Sequence, residues 1–225
     1  MKKFFYFLGN VITIVVSFII YSVVQQFYFY PHRLSKELHL GNVPFIVLTA
    51  IITLIALLIV LYLYNLQLRH NNERNYNSRP HWQFKKILLS LLGVIMLIIV
   101  SATIQWALGF NSEQTSTNQN LLDQFSHQAG NFFPVMVIFI GPVFEEFIFR
   151  GYFFNTFFYK NNNLNKWLGI LFSGLIFGYV HDPGFTKYIL VYWALGCVLA
   201  WVYTTTKDLR YSIISHMLFN ALGFV

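Results

Sequence analysis

Long apolar stretches alternate with short polar segments along this chain, a pattern typical of a protein that crosses a membrane several times. Several stretches reach about 18 residues or more, the length that a helix needs to span the hydrocarbon core of a bilayer. The pattern predicts seven helices, at about 4–24, 43–64, 86–110, 132–158, 167–181, 187–205 and 209–225. It also predicts a loop at 31–42 and a short surface helix through Leu121, Leu122 and Phe125.

The composition agrees with a membrane protein. Hydrophobic residues make up 56% of the chain and charged residues 10%, compared with about 25% charged residues in soluble domains. The sequence therefore predicts an all-α fold, a polytopic transmembrane helical bundle of about seven helices in a lipid bilayer. The formal charge of +7 does not indicate a nucleic-acid partner, because the basic residues lie in short loops between apolar stretches.

The basic residues also predict the orientation of the chain. If successive loops lie on alternate sides, one side holds eleven of them: Lys2, Lys3, Arg69, Arg74, Arg79, Lys85, Lys86, Lys160, Lys166, Lys207 and Arg210. The other side holds Arg33, Lys36 and Lys187, and Arg150 falls inside an apolar stretch. Because cytoplasmic loops are enriched in Lys and Arg, we expect a multi-pass protein with a cytoplasmic N-terminus and an external C-terminus.

Two adjacent acidic residues, Glu145 and Glu146, interrupt the apolar stretch 132–158. A charge at the centre of a membrane helix costs roughly 2.5–3.5 kcal/mol on insertion scales, so each of these charges needs a partner. Glu146 and Arg150 are four residues apart on one helix face and are expected to pair. Glu145 is rotated about 100° away from that face and is left for other partners.

Two histidines in later apolar stretches are the predicted partners of Glu145. His181 ends the motif Phe177-xxx-His181, and His216 opens the motif His216-xxx-Asn220, whose two polar residues share a helix face. Intramembrane ionisable groups normally face one another or a wet cavity. Glu145 and His181 each lie roughly 20 Å along their helices from the cytoplasmic side, whereas His216 lies roughly 10 Å along its helix. The first two are therefore expected to meet, and His216 is the residue whose depth fits least well.

The residues leave two kinds of chemistry open. A shielded glutamate and a histidine can activate water, while a second histidine and an asparagine donate hydrogen bonds to an oxyanion. Alternatively, Glu145, His181 and His216 can serve as three zinc ligands with an open position for water. A lone membrane histidine is more often an ordinary hydrogen-bonded bundle residue, but ionisable groups on three helices favour a site.

The motifs Glu-Glu-xxx-Arg, Phe-xxx-His and His-xxx-Asn, in this order, resemble the CPBP family of intramembrane proteases, also called the Abi or CAAX-protease family. The resemblance covers about 132–225, the expected catalytic core with helices 4–7, and 1–131 is expected to form the N-terminal transmembrane helices 1–3 and their loops. It implies that Glu145 and His181 activate water and that His216 and Asn220 form the oxyanion site. Glu146, Arg150 and Phe177 are implied to be supporting residues. We favour the metal-free mechanism with no cofactor, and zinc remains the alternative.

The expected protein is thus an endopeptidase that acts on a peptide or membrane-protein substrate. High Asn, Lys, Ile, Phe and Tyr content suits an AT-rich genome and favours a low-GC Gram-positive source, so we expect a bacterial plasma membrane. The resemblance then implies a role in bacteriocin self-immunity or peptide processing. Two other classes stay open: a non-catalytic membrane protein of the same fold that confers immunity or binds a partner, and an ion-coupled transporter that uses Glu145. The chain shows no inverted repeat, which disfavours the transporter.

Overall fold

A computed structural model describes residues 2–78, 81–110 and 116–224 of the chain. Within these ranges the protein forms nine helices and no strand. They are α1 Lys2–Phe29, α2 Pro31–Glu37, α3 Asn42–His70, α4 Phe84–Ala107, α5 Thr117–Ala129, α6 Phe132–Phe157, α7 Asn163–His181, α8 Tyr188–Thr206 and α9 Leu209–Leu222. Arg79, in a predicted loop, and Val225, at the end of the last predicted helix, lie outside the described residues.

The predicted all-α polytopic bundle is confirmed. In the described ranges, five helices are long and apolar enough to cross a membrane: α1, α3, α4, α6 and α8. The other two predicted spans are α7, with 19 residues, and α9, with only 14. At 1.5 Å per residue α9 is about 21 Å long, which is shorter than a bilayer core of about 30 Å. The count of seven is therefore approximate.

Some predicted boundaries differ from the structure. The loop prediction for 31–42 was wrong, because α2 occupies most of it; Pro31 begins this helix and an Arg33–Glu37 ion pair of 2.8 Å lies along it. Helix α4 ends at Ala107 rather than at 110, since Gly109 adopts a φ of +60° that does not continue a helix. The expected surface helix is α5, whose N-cap Ser116 accepts a hydrogen bond from the Gln119 backbone N–H.

Helix α6 lies at the centre of the bundle and packs against α1, α3, α7 and α9. Three of its large side chains, Phe144, Ile148 and Tyr152, are fully buried. Tyr152 donates a hydrogen bond to the Val60 carbonyl of α3. The N-terminal helices and the C-terminal helices therefore share one hydrophobic core around α6.

Helix α6 is not a regular α-helix throughout. Two wide π-helical turns, Val135–Ile140 and Phe147–Tyr152, flank the α-helical segment Gly141–Glu146 that carries both glutamates. Pro142 has no backbone N–H to donate to the preceding turn, and the first wide turn ends two residues before it, at Ile140. Pro134 and Pro142 both lie within this continuous helix. Wide turns of this kind often occur at functional sites.

The N-terminal end of α9 is buried in the protein. Its N-cap Asp208 is only 2% exposed, and the loop before α4 folds over it. In that loop the Asn77 backbone N–H donates to the Lys207 carbonyl at 2.8 Å, and the Tyr76 ring stacks on Tyr203 with centroids 4.4 Å apart. Because α9 starts inside the bundle, its first two turns are enough to bring His216 to the level of Glu145.

Candidate active site in the helix bundle

Glu145 lies between the two predicted histidines. Its Oε2 atom is 3.8 Å from His181 Nε2 and 3.7 Å from His216 Nε2. The other carboxylate oxygen, Oε1, accepts a hydrogen bond of 2.7 Å from the Tyr21 hydroxyl of α1. The Glu145 side chain is 14% exposed, so it is sheltered yet reachable. The structure therefore brings together the glutamate and both histidines that the sequence singled out.

The His181 ring is fixed by its neighbours at the end of α7. Its Nδ1 lies 2.8 Å from the Phe177 carbonyl oxygen, which can only accept, so Nδ1 carries the hydrogen. The ring lies between Phe177 and Tyr192, with centroids 4.1 Å and 5.1 Å away. These contacts leave the Nε2 lone pair directed toward Glu145.

Glu146 forms hydrogen bonds with Arg150, its predicted partner, and also with His216. Its Oε1 accepts hydrogen bonds from Arg150 Nη1 at 2.9 Å and from His216 Nδ1 at 3.0 Å. The side chains of Glu146 and Arg150 are both 0% exposed. Arg150 also donates to the Gly196 carbonyl and lies 4.7 Å from the centroid of the Phe177 ring. The buried Glu146–Arg150 pair therefore also holds the imidazole of His216, with Nδ1–H donating and Nε2 facing Glu145.

Asn220 lies one turn beyond His216 on α9. Its Nδ2 donates a hydrogen bond of 2.9 Å to the carbonyl of Val137, which belongs to the first wide turn of α6. A side-chain amide has two N–H groups, so one remains for another acceptor. Asn220 is thus near the glutamate–histidine cluster, but half of its donor capacity is already used.

A cavity of about 1140 Å³ adjoins these residues. Glu145, His181, His216 and Asn220 all line it, and α1, α4, α5 and α8 supply much of the remaining wall. Amide side chains such as Gln25 on α1 and Gln105 on α4 mix with apolar residues in this wall. Its volume slightly exceeds the roughly 300–1,000 Å³ of typical small-molecule pockets, so it has room for a short peptide segment.

Two tyrosines at the site were not predicted from the sequence. Tyr21 bonds to Glu145, and Tyr192 stacks on His181 while its hydroxyl lies 2.8 Å from Ser116 Oγ. One signal was available for Tyr21. On α1, Ser17, Tyr21 and Gln25 follow one another at intervals of four residues in a mostly apolar helix, so they share one polar helix face.

The distances between the candidate ligand atoms differ from those expected around a tetrahedral zinc ion. Two ligands of a tetrahedral zinc with bonds of 2.0–2.1 Å are about 3.3–3.5 Å apart. The Glu145 oxygen is farther than this from both histidine nitrogens, by a few tenths of an ångström. Across the described ranges, no group of three or more His, Cys, Asp or Glu residues has the arrangement of a metal site. The residues as placed thus do not fit a three-ligand zinc site.

The part of the chain that carries most of this site is similar to a known protein family. Residues 128–222 match the family model described as type II CAAX prenyl endopeptidase Rce1-like. The UPF0177 protein YaiF of Lactococcus lactis is 31% identical over 194 residues, which cover 83% of this chain and 81% of that protein.

Two further relatives carry names that refer to proteolysis. The membrane-embedded CAAX protease MroQ of Staphylococcus aureus is 31% identical over 60% of this chain and 55% of its own length. The putative membrane peptidase YdiL of Bacillus subtilis is 36% identical over 39% of this chain and 35% of its own length. The chain therefore spans only about a third to a half of these two relatives. No solved structure matches the chain.

Proposed function

Because this chain belongs to the CPBP family of membrane proteases, we propose that it is an intramembrane endopeptidase that hydrolyses a peptide bond with a water molecule activated by Glu145 and His181. The observation that carries the proposal is the approach of Glu145 Oε2 to His181 Nε2, 3.8 Å apart on the wall of the cavity. A sheltered carboxylate and an imidazole lone pair beside a space for substrate are the groups that general-base catalysis requires.

A bound water would bridge these two acceptors. It donates one hydrogen bond to Glu145 Oε2 and one to His181 Nε2, at about 2.8 Å from each. Both lone pairs of its oxygen then remain available for attack on the scissile carbonyl carbon. Glu145 takes a proton from the attacking water and returns it to the leaving amine nitrogen as the C–N bond breaks. The products are a new carboxyl terminus and a new amino terminus, and Glu145 is again ionised.

His216 and Asn220 are the proposed donors to the oxyanion that forms during this attack. Since His216 Nδ1–H is directed to Glu146, its Nε2 donates only in the protonated form of the ring. Asn220 donates one N–H to Val137, and its second N–H is the one assigned to the oxyanion. Donors placed in advance around a developing charge are typically the largest contribution to such catalysis.

We also propose that the reaction runs without a bound metal ion. The support is that no group of three or more His, Cys, Asp or Glu residues in the described ranges is arranged to hold a metal ion, while Glu145 and His181 lie close enough to share one water. In this mechanism Glu145 takes up and returns the proton, and His181 positions the water.

The proposed setting is the plasma membrane of a bacterium, with the N-terminus in the cytoplasm. The relatives come from Lactococcus, Bacillus and Staphylococcus, and the loop charges favour this orientation. The proposed substrate is a peptide or membrane-protein segment, and the proposed role is peptide processing or bacteriocin self-immunity.

The test is cleavage by purified protein in detergent or liposomes. A farnesylated CAAX peptide and a library of unmodified apolar peptides are incubated in H₂¹⁸O, and the products are identified by mass spectrometry. We expect products whose new carboxyl termini carry ¹⁸O with wild-type protein and none with Glu145→Ala, which should insert and accumulate like wild type. Cleavage by a well-folded Glu145→Ala variant would overturn the proposal.

A further inference from the structure

Tyr21 is the residue of the N-terminal half that reaches the reacting groups directly. It lies on α1, outside the segment that matches the family model, and is 8% exposed. Its ring stacks on Phe144, the residue before Glu145, with centroids 5.3 Å apart and planes inclined by 17°. This stacking aims the hydroxyl at Glu145 Oε1, with which it forms the bond of 2.7 Å.

The hydrogen bond from Tyr21 gives the two carboxylate oxygens of Glu145 different surroundings. Oε1 is occupied by the tyrosine, whereas Oε2 faces both histidine nitrogens. The last torsion of a glutamate is broad, so an unrestrained carboxylate would rotate and offer either oxygen to the site. A hydrogen bond to an ionised acceptor is among the strong ones in proteins, and here it removes that freedom.

The backbone of α6 makes room for this bond at Gly141. A Cβ atom added there would lie 3.2 Å from the Tyr21 hydroxyl oxygen and 3.1 Å from the Met136 carbonyl oxygen. A side chain at this position would therefore require the Tyr21 hydroxyl or the Met136 carbonyl to shift by a few tenths of an ångström. The absence of a side chain one turn before the glutamate is thus part of the same arrangement.

We propose that Tyr21 is a positioning residue for the reaction, which holds the Glu145 carboxylate with Oε2 toward the attacking water. This inference rests on the proposed hydrolase function and adds to it a contribution from α1. Tyr21 contacts Oε1 of Glu145 and not Oε2, the oxygen that faces the histidines and the attacking water. The N-terminal helix thereby supports a site whose glutamates, histidines and Asn220 lie on α6, α7 and α9.

Tyr21→Phe tests this, because it removes the hydroxyl and keeps the stacked ring. Tyr28→Phe is the matched control: Tyr28 is on the same helix, 6% exposed, and its hydroxyl lies 3.2 Å from Thr53 Oγ1, away from the site. The probe is the synthetic peptide that wild-type protein cleaves fastest in the assay above. We expect kcat of Tyr21→Phe to fall about 10- to 100-fold, the size of effect caused by small misplacement of a reacting group, with KM unchanged. Tyr28→Phe should keep the wild-type kcat.

A conservative replacement separates positioning from packing. Incorporation of 3-fluorotyrosine at position 21 keeps both ring and donor and should retain kcat close to wild type. Both phenylalanine variants should have similar thermal unfolding temperatures. A wild-type kcat in Tyr21→Phe, or equal losses of kcat in both phenylalanine variants, would overturn the proposal.

Infrared spectroscopy supplies a readout that does not depend on cleavage. The Glu145 carboxylate band, isolated by subtracting the spectrum of Glu145→Gln, should move in Tyr21→Phe and stay in place in Tyr28→Phe. If wild-type protein cleaves no peptide, the hydrolase function fails and the positioning role of Tyr21 in that reaction fails with it, even where the band moves. If wild-type protein is active and the band does not move, only the role of Tyr21 is refuted.

Discussion

Replacement of Glu146 by alanine should destabilise the protein strongly, because it leaves a buried arginine without its counter-ion. Glu146 Oε1 accepts from Arg150 Nη1 at 2.9 Å and from His216 Nδ1 at 3.0 Å, and neither Glu146 nor Arg150 is exposed. After the substitution, Arg150 keeps its bond to the Gly196 carbonyl and its contact with the Phe177 ring. A neutral carbonyl and an aromatic face do not replace a carboxylate for a buried cation.

The size of the effect follows from these contacts. Removal of one partner from a buried ion pair typically costs about 3–5 kcal/mol. A loss of 1 kcal/mol lowers the unfolding temperature of a chain of this size by about 2–4 °C, so the expected decrease is about 6–20 °C. A double variant, Glu146→Leu with Arg150→Met, should recover most of this stability, because apolar replacement of both partners is often neutral or stabilising. It should stay inactive, since His216 Nδ1 still lacks its acceptor.

Thermal unfolding of the purified variants in one detergent measures this directly, with membrane protein level as a second readout. Glu37→Ala is the control, because the Arg33–Glu37 pair has the same spacing and a distance of 2.8 Å but lies on the surface. Its unfolding temperature should remain near that of wild type. An unfolding temperature of Glu146→Ala equal to that of Glu37→Ala would refute the reasoning.

Three further predictions follow from the site and the topology. Asn220→Ala should lower kcat by about 10²–10³ with little change in KM, the usual effect of losing one oxyanion donor; an unchanged kcat would remove Asn220 from the site. Purified wild-type protein should contain substoichiometric zinc and keep its activity with chelators, whereas about one zinc per chain that is lost with activity in His216→Ala would contradict the metal-free mechanism. In a Cys197→Ala background, single cysteines are placed at the exposed positions Glu73, Gln124 and Asn161; in intact cells only Gln124→Cys should react with an impermeant reagent, and the reverse pattern would invert the topology.

The helices and the central ion pair were predictable because each depends on short-range regularities. Apolar stretches of spanning length predict the long helices whatever their neighbours are. The Glu146–Arg150 pair follows from a spacing of four on one helix. The meeting of Glu145 with the histidines followed from the cost of unpaired charges in a membrane.

Other features depend on three-dimensional contacts that spacing does not reveal. Helix α2 was missed because polar character alone does not separate a loop from a short surface helix. The close approach of His216 to Glu145 did not follow from counting residues along α9, because that count ignores how the helices pack; the N-cap Asp208, for example, is buried beneath the loop that carries Asn77. Tyr21 was missed because its partner is 124 residues away in the sequence. Local patterns do not identify such partners.

The central claim, that Glu145 removes a proton from the attacking water, is tested most directly by kcat of Glu145→Gln. Glutamine has the shape of glutamate and its amide oxygen can still accept from Tyr21, so packing is preserved while the basic carboxylate is lost. We predict a fall of about 10²–10⁴-fold, the usual contribution of a general base, at unchanged unfolding temperature. A folded Glu145→Gln protein that cleaves its peptide within about threefold of the wild-type rate, far less than the loss of a general base would cause, would contradict the account.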